Sequence, residues 1–143
     1  MPAIAIEQPS ETDIDAIHAV LRETYWSPGI PRDVVARACA NSMCAIARDE
    51  SGKLVGFARV VTDKATFAWL CDVIVLPGKQ GKGVGCALVQ LFQRHPELQG
   101  LRRWLLGTKD AHGVYAPLGF TPVEAPERLM QIKNPNPYGR PAS

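Results

Sequence analysis

The sequence predicts an α+β fold in which helices flank a mixed, mainly antiparallel sheet. Two apolar patterns alternate along its 143 residues: short runs typical of strands, and spacings of three and four residues typical of helices. A polar segment at residues 49–52, Asp-Glu-Ser-Gly, joins two strand-like runs as a hairpin, which predicts an antiparallel pair. Taken in order, the patterns give β-α-α-β-β-β-α-β-α-β-β.

The first third of the chain is predicted to contain one strand and two helices. Residues 3–7 form a short apolar strand. Ser10 then opens a helix that runs to about residue 24, because its side chain can cap the first turn. The segment Tyr-Trp-Ser-Pro-Gly at residues 25–29 ends this helix. Pro31 suits the first turn of a second helix, which extends to about residue 41.

The remaining elements follow from the same patterns and from the positions of glycine and proline. Strands are predicted at residues 43–48, 54–62, 66–76 and 101–106, and helices at 83–94 and 110–117. Two further short runs, at residues 120–123 and 129–132, can pair with each other at the end of the sheet. The tail at residues 134–143 is rich in proline and glycine, and is predicted to be loose or to lie against a neighbouring molecule.

Length and composition predict a single domain over residues 1–143, with its core at about residues 3–133. The net charge of +2 is too small to indicate a nucleic-acid partner, and no apolar run approaches the ~20 residues of a membrane span. The four cysteines lie in apolar segments without metal-ligand spacing, as reduced thiols of a cytoplasmic protein do. We therefore expect a cytoplasmic protein without a metal. The sequence does not fix the oligomeric state and leaves a homodimer open.

A glycine-rich basic loop connects the apolar strand segment at residues 73–76 to the helix that begins near Gly83. Its glycines allow a tight turn and a close approach of a ligand to the backbone. The N–H groups that open a helix lack intrahelical partners and lie at the positive end of its dipole, so they attract anions, most often phosphate. Lys79 and Lys82 add positive charge. The dinucleotide and Walker patterns are absent, and the alternative is a turn whose glycines serve packing alone.

This stretch resembles motif A of the GNAT acyl-CoA N-acetyltransferases, V-x-V-x-P-x-x-[RQ]-G-x-G-x-G. The residues that match are Val73, Val75, Pro77, Gln80, Gly81, Gly83 and Gly85. The predicted element order also resembles the GNAT fold over residues 3–133. The resemblance implies that acetyl-CoA is bound by the strand and by the loop after it. The cofactor-binding residues would then be Val73, Ile74, Val75, Gln80, Gly81, Lys82, Gly83, Val84 and Gly85.

A second segment, AHGVYAPLGF at residues 111–120, resembles the family pattern A-x-x-L-Y-x-x-x-G-F with Val114 in place of leucine. The resemblance implies that Tyr115 faces the sulfur of coenzyme A. A thiol has a pKa near ~8.5, so a nearby phenol can protonate the departing thiolate. A packed aromatic ring is the alternative. Many relatives carry an asparagine seven residues before this tyrosine that helps to hold the cofactor. Thr108 occupies that position here and can still donate a hydrogen bond.

Asp72 is a carboxylate inside an otherwise apolar strand. Burial would raise its pKa, which suits a base that accepts a proton directly or through water. Polyamine-acetylating members of the family carry Glu-Asp before this strand segment, whereas this chain has Cys71-Asp72. Asp72 is therefore predicted to be a base or an ammonium-binding group, with a purely structural carboxylate as the alternative.

The acceptor site of the family is built from the first two helices, their connecting loop and the strand edges. Tyr25, Trp26 and Ser27 lie in that loop, and we predict that they form the wall for a small apolar or aromatic amine. The alternative is that they fill the core.

The resemblance implies an N-acetyltransferase that moves an acetyl group from acetyl-CoA to a primary amine of a small molecule. The amine attacks the thioester directly in a ternary complex, and a backbone N–H of the strand at residues 73–76 polarises the carbonyl oxygen. Three alternatives stay open: a covalent route through Cys71 or Cys86, an acyl-CoA-binding domain without turnover, and acetylation of a protein amine. The sequence does not identify the amine.

Overall fold

The computed structural model describes residues 2–139, and its elements follow the predicted order as far as residue 118. The strands are β1 (Ala3–Ile6), β2 (Met43–Arg48), β3 (Leu54–Thr62), β4 (Phe67–Val75) and β5 (Arg103–Leu106). The α-helices are α1 (Glu11–Leu21), α2 (Arg32–Ala40), α3 (Val84–Arg94) and α4 (His112–Tyr115). Single turns of 3-10 helix lie at Pro96–Leu98, Ala116–Leu118 and Pro126–Arg128. None of the helices in the described residues is long and apolar enough to cross a membrane.

The five strands form one sheet in the order β1-β2-β3-β4-β5. Neighbours pair antiparallel except for β4 and β5, which are parallel and are connected through α3. A parallel pair requires such a crossover, whereas a short turn suffices between β2 and β3. The structure thus confirms the predicted α+β fold with a mainly antiparallel sheet and flanking helices.

Both faces of the sheet are covered, which gives the fold two hydrophobic layers. On one face, α3 buries Val84, Leu88, Val89 and Phe92 against the strands. On the other face, α1 and α2 contribute Ile14, Ile17, Leu21, Val35 and Cys39. Strand β2 lies between β1 and β3 and is buried on both sides, which explains its continuous apolar run.

A carboxylate at the start of α1 attaches this helix to the sheet. Ser10 and Asp13 form a reciprocal capping box, as the sequence predicts. Asp13 is buried and also accepts hydrogen bonds from Arg48 of β2, at 2.9 Å to Oδ1 and 2.7 Å to Oδ2. The hydrogen bonds from Arg48 lower the pKa of Asp13 below its ordinary value of 3.8.

Replacing Asp13 by Asn is therefore expected to lower the free energy of unfolding by about 2 kcal/mol, because a charge-assisted pair is lost. A lowered pKa stabilises the fold fully above the ordinary value of 3.8, and this contribution is lost as the pH falls through the lower folded-state value. Urea unfolding at pH 7 and at about pH 3 measures both effects. The control is Glu11→Gln, which removes an exposed ion pair with Arg32 and should change stability by less than about 0.5 kcal/mol. An equal effect of the two substitutions would contradict this role of Asp13.

The chain after α4 differs from the prediction. No strand follows β5 in the described part of the chain, so the predicted pairing of residues 120–123 with 129–132 is wrong. Ala125 has a positive φ of 55° and Pro126 starts a 3-10 turn, and these features interrupt the extended backbone that two paired strands would need. Met130 and Ile132 are consequently fully exposed. The helix predicted at 110–117 ends as α4 at Tyr115 and continues as a 3-10 turn that contains Pro117.

The predicted loose tail is anchored where the structure describes it. Tyr138 is half-buried and packs against the hydrophobic layer under α1 and α2. The last part of that prediction, residues 140–143, lies outside the described residues.

Candidate active site

A β-bulge in β4 determines which way the side chains of the predicted site point. Arg59 of β3 pairs with Asp72, but the next residue of β3, Val60, pairs with Leu70, so Cys71 is the extra residue. A bulge reverses the alternation of side chains along a strand. Leu70 therefore faces the layer under α3, whereas Asp72 and Ile74 face the side of α1 and α2.

The sheet opens next to this bulge. β5 pairs with β4 only from Phe67 to Leu70, where Leu106 ends the register. Beyond Leu70, β4 continues to Val75, and among residues 2–139 no strand pairs with this part of β4 on the side of β5. A cavity of about 320 Å³ lies there, between β4 and the chain that follows β5. Its lining includes Tyr25, Trp26, Trp69, Cys71, Val73, Thr108, Asp110 and Tyr115. The structure thus brings residues from four separate parts of the sequence to one place.

The glycine-rich loop follows β4 at its open end. Gly81 and Gly83 have φ values of 81° and 76°, and a Cβ atom on either would meet nothing within 4 Å. These two glycines are needed for backbone conformation, and the space beside them is open to a ligand. Gly85 differs, because its Cβ would lie 3.5 Å from Cγ1 of Val73, so this residue lets α3 begin close to β4.

The start of α3 suits an anion. Its first turn contains no acidic residue, and Lys79 and Lys82 of the preceding loop are exposed. Gln80 donates a hydrogen bond of 3.4 Å to the carbonyl of Val75, which ties the loop back to β4. The side chains of Val84 and Ile74 are buried in the two core layers, so these two residues can offer a ligand only their backbone groups.

Tyr115 lies at the last position of α4, on the wall of the cavity. Its ring packs edge-to-face on Phe120 at 6.0 Å between centroids, and its hydroxyl makes no hydrogen bond with any described residue. Burial, and to a lesser extent the neighbouring Cys86 and Tyr25, raises the pKa of Tyr115 above its ordinary value of 10.0. The phenol is therefore protonated at neutral pH and free to donate a hydrogen bond.

Thr108 also lines the cavity, and its side chain stabilises the turn before α4. Its Oγ1 accepts a hydrogen bond of 3.0 Å from the N–H of Ala111, which closes the turn that leads into α4. The hydroxyl proton of Thr108 is still available to a ligand.

Asp72 is buried, with an exposed fraction of 7%, and both of its carboxylate oxygens accept hydrogen bonds from the protein. Trp26 Nε1 donates to Oδ1 at 2.9 Å, and Arg59 Nε donates to Oδ2 at 2.8 Å. Arg59 in turn donates from Nη1 to the hydroxyl of Ser42 at 3.0 Å. Asp72 does not line the cavity; it connects the wall residue Trp26 to a half-buried arginine.

Of the three wall residues predicted in the loop after α1, two line the cavity. Tyr25 and Trp26 line the cavity with their rings edge-to-face, 5.1 Å between centroids, and the Tyr25 hydroxyl accepts a hydrogen bond of 2.8 Å from the N–H of Lys109. Ser27 does not reach the cavity. It is buried beneath the turn, where its hydroxyl donates to the carbonyl of Leu21 at 2.9 Å and contacts the hydroxyl of Thr24.

The aromatic and charged residues of the cavity include two that were not among the sequence candidates, Trp69 and Asp110. Asp110 could have been found, because it directly precedes the second motif. A C-terminal segment, residues 131–138, was also missed, and it lines a second, adjoining cavity of about 820 Å³. No sequence signal connects that segment to the site. In the described residues, no group of three or more His, Cys, Asp or Glu side chains is placed to hold a metal ion.

Known proteins resemble this chain over most of its length. The model of the acetyltransferase (GNAT) family matches residues 10–120. A crystal structure from Xanthomonas campestris pv. campestris, of a protein assigned to the GNAT family, is 44% identical and superposes with a TM-score of 0.88 over 98% of this chain and 99% of that one. The Gibberella zeae protein named "Putative acetyltransferase FG08082" is 32% identical in an alignment of 124 positions that covers 71% of this chain and 69% of that protein.

More distant structures share the fold alone. One is aminoglycoside N-acetyltransferase AAC(6')-Iy in complex with CoA, which is 20% identical with a TM-score of 0.67 over 94% of this chain and 97% of that one. At this level of identity the aminoglycoside substrate of that enzyme does not transfer to the present chain.

Proposed function

The chain belongs to the GNAT family of acetyltransferases, and from that premise we propose that it transfers an acetyl group from acetyl-CoA to a primary amine of a small molecule. One observation carries the proposal: the unpaired end of β4 and Tyr115 line a single cavity, and the glycine-rich loop follows directly after that end of β4. An anion site, a row of backbone groups and a proton donor are the three groups that thioester aminolysis uses.

The proposed binding site for acetyl-CoA consists of the loop and β4. Backbone N–H groups of residues 80–85 would hold the pyrophosphate, with Lys79 and Lys82 adding charge, since the space beside Gly81 and Gly83 is open. Backbone groups of Val73, Ile74 and Val75 on the unpaired side of β4, and the hydroxyl of Thr108, would orient the pantetheine arm. When bound, acetyl-CoA supplies the acetyl group in activated form, as a thioester.

The residues of the cavity favour direct transfer. A neutral amine entering beside Trp26 approaches the unpaired edge of β4, where a backbone N–H can polarise the carbonyl oxygen that becomes negative. The hydroxyl of Tyr115, free of protein partners, gives its proton to the thiolate that departs, and the resulting phenolate takes up the proton that the acetylated nitrogen releases. Cys71 lies on the same wall, but burial raises its thiol pKa, which makes it a poor nucleophile at neutral pH.

The test of this function is a screen of small primary amines at fixed acetyl-CoA, which detects the released thiol together with the mass of the acetylated amine. Turnover with a small amine, and no acetylated protein after mixing with acetyl-CoA alone, is the expected result. Binding of acetyl-CoA without turnover of any amine would favour a regulatory acyl-CoA-binding domain. An acetylated Cys71 or Cys86 would favour the covalent route, and turnover with peptides alone would favour a protein amine.

We also propose that Asp72 acts on the acceptor side through Trp26, in place of the base or ammonium-binding group that the sequence predicts. With one oxygen held by Trp26 and the other by Arg59, the carboxylate fixes the indole in the wall. Asp72→Asn offers only one acceptor oxygen to these two donors, so one of them loses its partner. We expect the acceptor KM to rise about tenfold, which corresponds to one buried hydrogen bond to a charged group, while acetyl-CoA affinity is unchanged.

A double-mutant cycle with Trp26→Phe separates the two roles of Asp72. If Asp72 works through the indole, the effects of Asp72→Asn and Trp26→Phe on the acceptor KM will not add, because each removes the same hydrogen bond. A base would instead show additive effects, a fall in kcat, and the loss of the acidic limb of the pH–rate profile. Additivity in this cycle would return Asp72 to the role of a base.

A further inference from the structure

The acceptor cavity continues outward into a second cavity, and the two differ in charge. The inner cavity of about 320 Å³ and the outer one of about 820 Å³ share Tyr25, Trp26, Trp69, Gly107 and Thr108, so they form one cleft. We propose that the acceptor is an amine with a flat apolar body and an anionic group, a carboxylate, at its far end. This inference rests on the proposed acetyl transfer and names the class of its substrate.

The apolar body is inferred from three aromatic side chains that the cleft leaves exposed. Tyr25, Trp26 and Trp69 have exposed fractions of 52%, 43% and 44%, although side chains of this size are usually buried. Two of them are fixed in place, Trp26 by Asp72 and Tyr25 by its hydrogen bond from Lys109. Rigid aromatic faces bind flat apolar groups at little cost in conformational entropy. The wall therefore suits a flat ring or a short hydrocarbon.

The orientation of the acceptor is inferred from the charges at the two ends of the cleft. Among its described lining residues, the inner cavity contains one carboxylate, Asp110, and no lysine or arginine. The outer cavity has Lys109 and Lys133 in its lining and no aspartate or glutamate. The ammonium of Lys109 is held 5.6 Å from the centroid of the Tyr25 ring. An ammonium group is thus attracted to the inner end and an anion to the outer end, while a second ammonium would be repelled.

The C-terminal segment, residues 131–138, forms the outer wall and contributes Lys133. Tyr138 anchors this segment by packing into the layer under α1 and α2. Pro135 and Pro137 restrict the backbone between the two, and the side chain of Asn134 accepts a hydrogen bond of 3.0 Å from the N–H of Asn136. A restrained segment of this kind can hold a charged side chain at a fixed distance from the aromatic wall.

The experiment compares matched amines with the full-length protein and acetyl-CoA. The first pair is 4-(2-aminoethyl)benzoate and 2-phenylethylamine, which differ only in a distal carboxylate; the dication 1,4-diaminobutane is the third probe. We expect kcat/KM to be about 5- to 30-fold higher for the carboxylate than for the neutral amine, as one or two exposed ion pairs allow, and lowest for the dication. The difference should lie in KM, because the carboxylate is remote from the reacting atoms.

Charge reversal at the outer wall tests the assignment to Lys133. Lys133→Glu should abolish or invert the carboxylate preference, through a rise in KM for 4-(2-aminoethyl)benzoate. Arg37→Glu, on α2 and outside the lining of the cleft, makes the same change in net charge and should leave the preference intact. Turnover of all three amines with no carboxylate preference, or with a preference that Lys133→Glu does not alter, would overturn this inference while leaving the proposed function standing. Failure of every amine to react, with acetyl-CoA bound, would remove both.

Discussion

Tyr115→Phe is expected to lower kcat by about 10²- to 10⁴-fold, the usual effect of losing one positioned general acid. The substitution removes only the hydroxyl, which makes no hydrogen bond with any described residue, so the packing of the ring on Phe120 is retained. Acetyl-CoA affinity and the unfolding temperature should therefore hardly change. Steady-state rates, together with titration calorimetry of acetyl-CoA, separate the catalytic effect from binding.

The pKa of Tyr115 makes the same prediction testable in a second way. Because burial raises this pKa above 10.0, the phenol of Tyr115 stays protonated at neutral and mildly alkaline pH. Ionisation of Tyr115 should therefore cause no loss of kcat at any pH up to about 10. The deficit of the Phe variant should shrink for an acyl donor whose leaving thiol has a lower pKa, since that thiolate needs less proton assistance.

The other phenol of the cavity provides the comparison. The Tyr25 hydroxyl already accepts a hydrogen bond from Lys109, and Tyr25→Phe should affect the acceptor KM more than kcat. If Tyr115→Phe reacts within a few-fold of the unaltered enzyme, with chemistry shown to be rate-limiting, the proton comes from water and Tyr115 is only part of the wall.

Features encoded by a few neighbouring residues were predictable from the sequence. The capping box of Ser10 and Asp13, the hairpin turn at residues 49–52 and the glycine-rich loop each depend on local backbone preferences that the residue types state directly. The element order to α4 followed from such local patterns, whereas the candidate role of Tyr115 came from the resemblance to the family motif.

The direction in which Asp72 points was not predictable. It depends on the bulge at Cys71, which arises from the register between β3 and β4 and has no signal in β4 alone. The partner Trp26 lies 46 residues away in sequence. An isolated carboxylate in an apolar strand therefore suggested a base, whereas the folded chain gives it two donors.

The end of the chain was misread for a different reason. The apolar run at residues 129–132 resembles a strand by itself, but Pro126 starts a 3-10 turn just before it. Composition alone also made residues 134–139 look loose. Residues 134–138 line the outer cavity, and Tyr138 among them packs against the layer under α1 and α2. Such a contact is set by tertiary packing and leaves no periodicity in the sequence.

Substituting Gly83 is expected to weaken acetyl-CoA binding about 10- to 100-fold, which corresponds to the loss of one or two charge-assisted hydrogen bonds to phosphate. Sequence reasoning alone suggests Gly83→Val, but the structure shows that valine would combine two effects. Gly83 has a φ of 76°, where a β-branched residue is strained, so valine would also distort the start of α3. Gly83→Asn is the better test, because asparagine tolerates this conformation while its side chain enters the open space beside the loop.

Gly100→Asn is the matched control for Gly83→Asn. Gly100 has a φ of 73°, a Cβ there would likewise meet nothing within 4 Å, and the residue lies beyond the opposite end of α3. Both substitutions therefore carry a similar backbone cost, and they differ in whether the new side chain stands beside the N–H groups that open the helix. Titration calorimetry with acetyl-CoA should show the loss for Gly83→Asn and full affinity for Gly100→Asn. Equal affinities in the two variants would mean that the pyrophosphate lies elsewhere and that the glycines of the loop serve only the turn between β4 and α3.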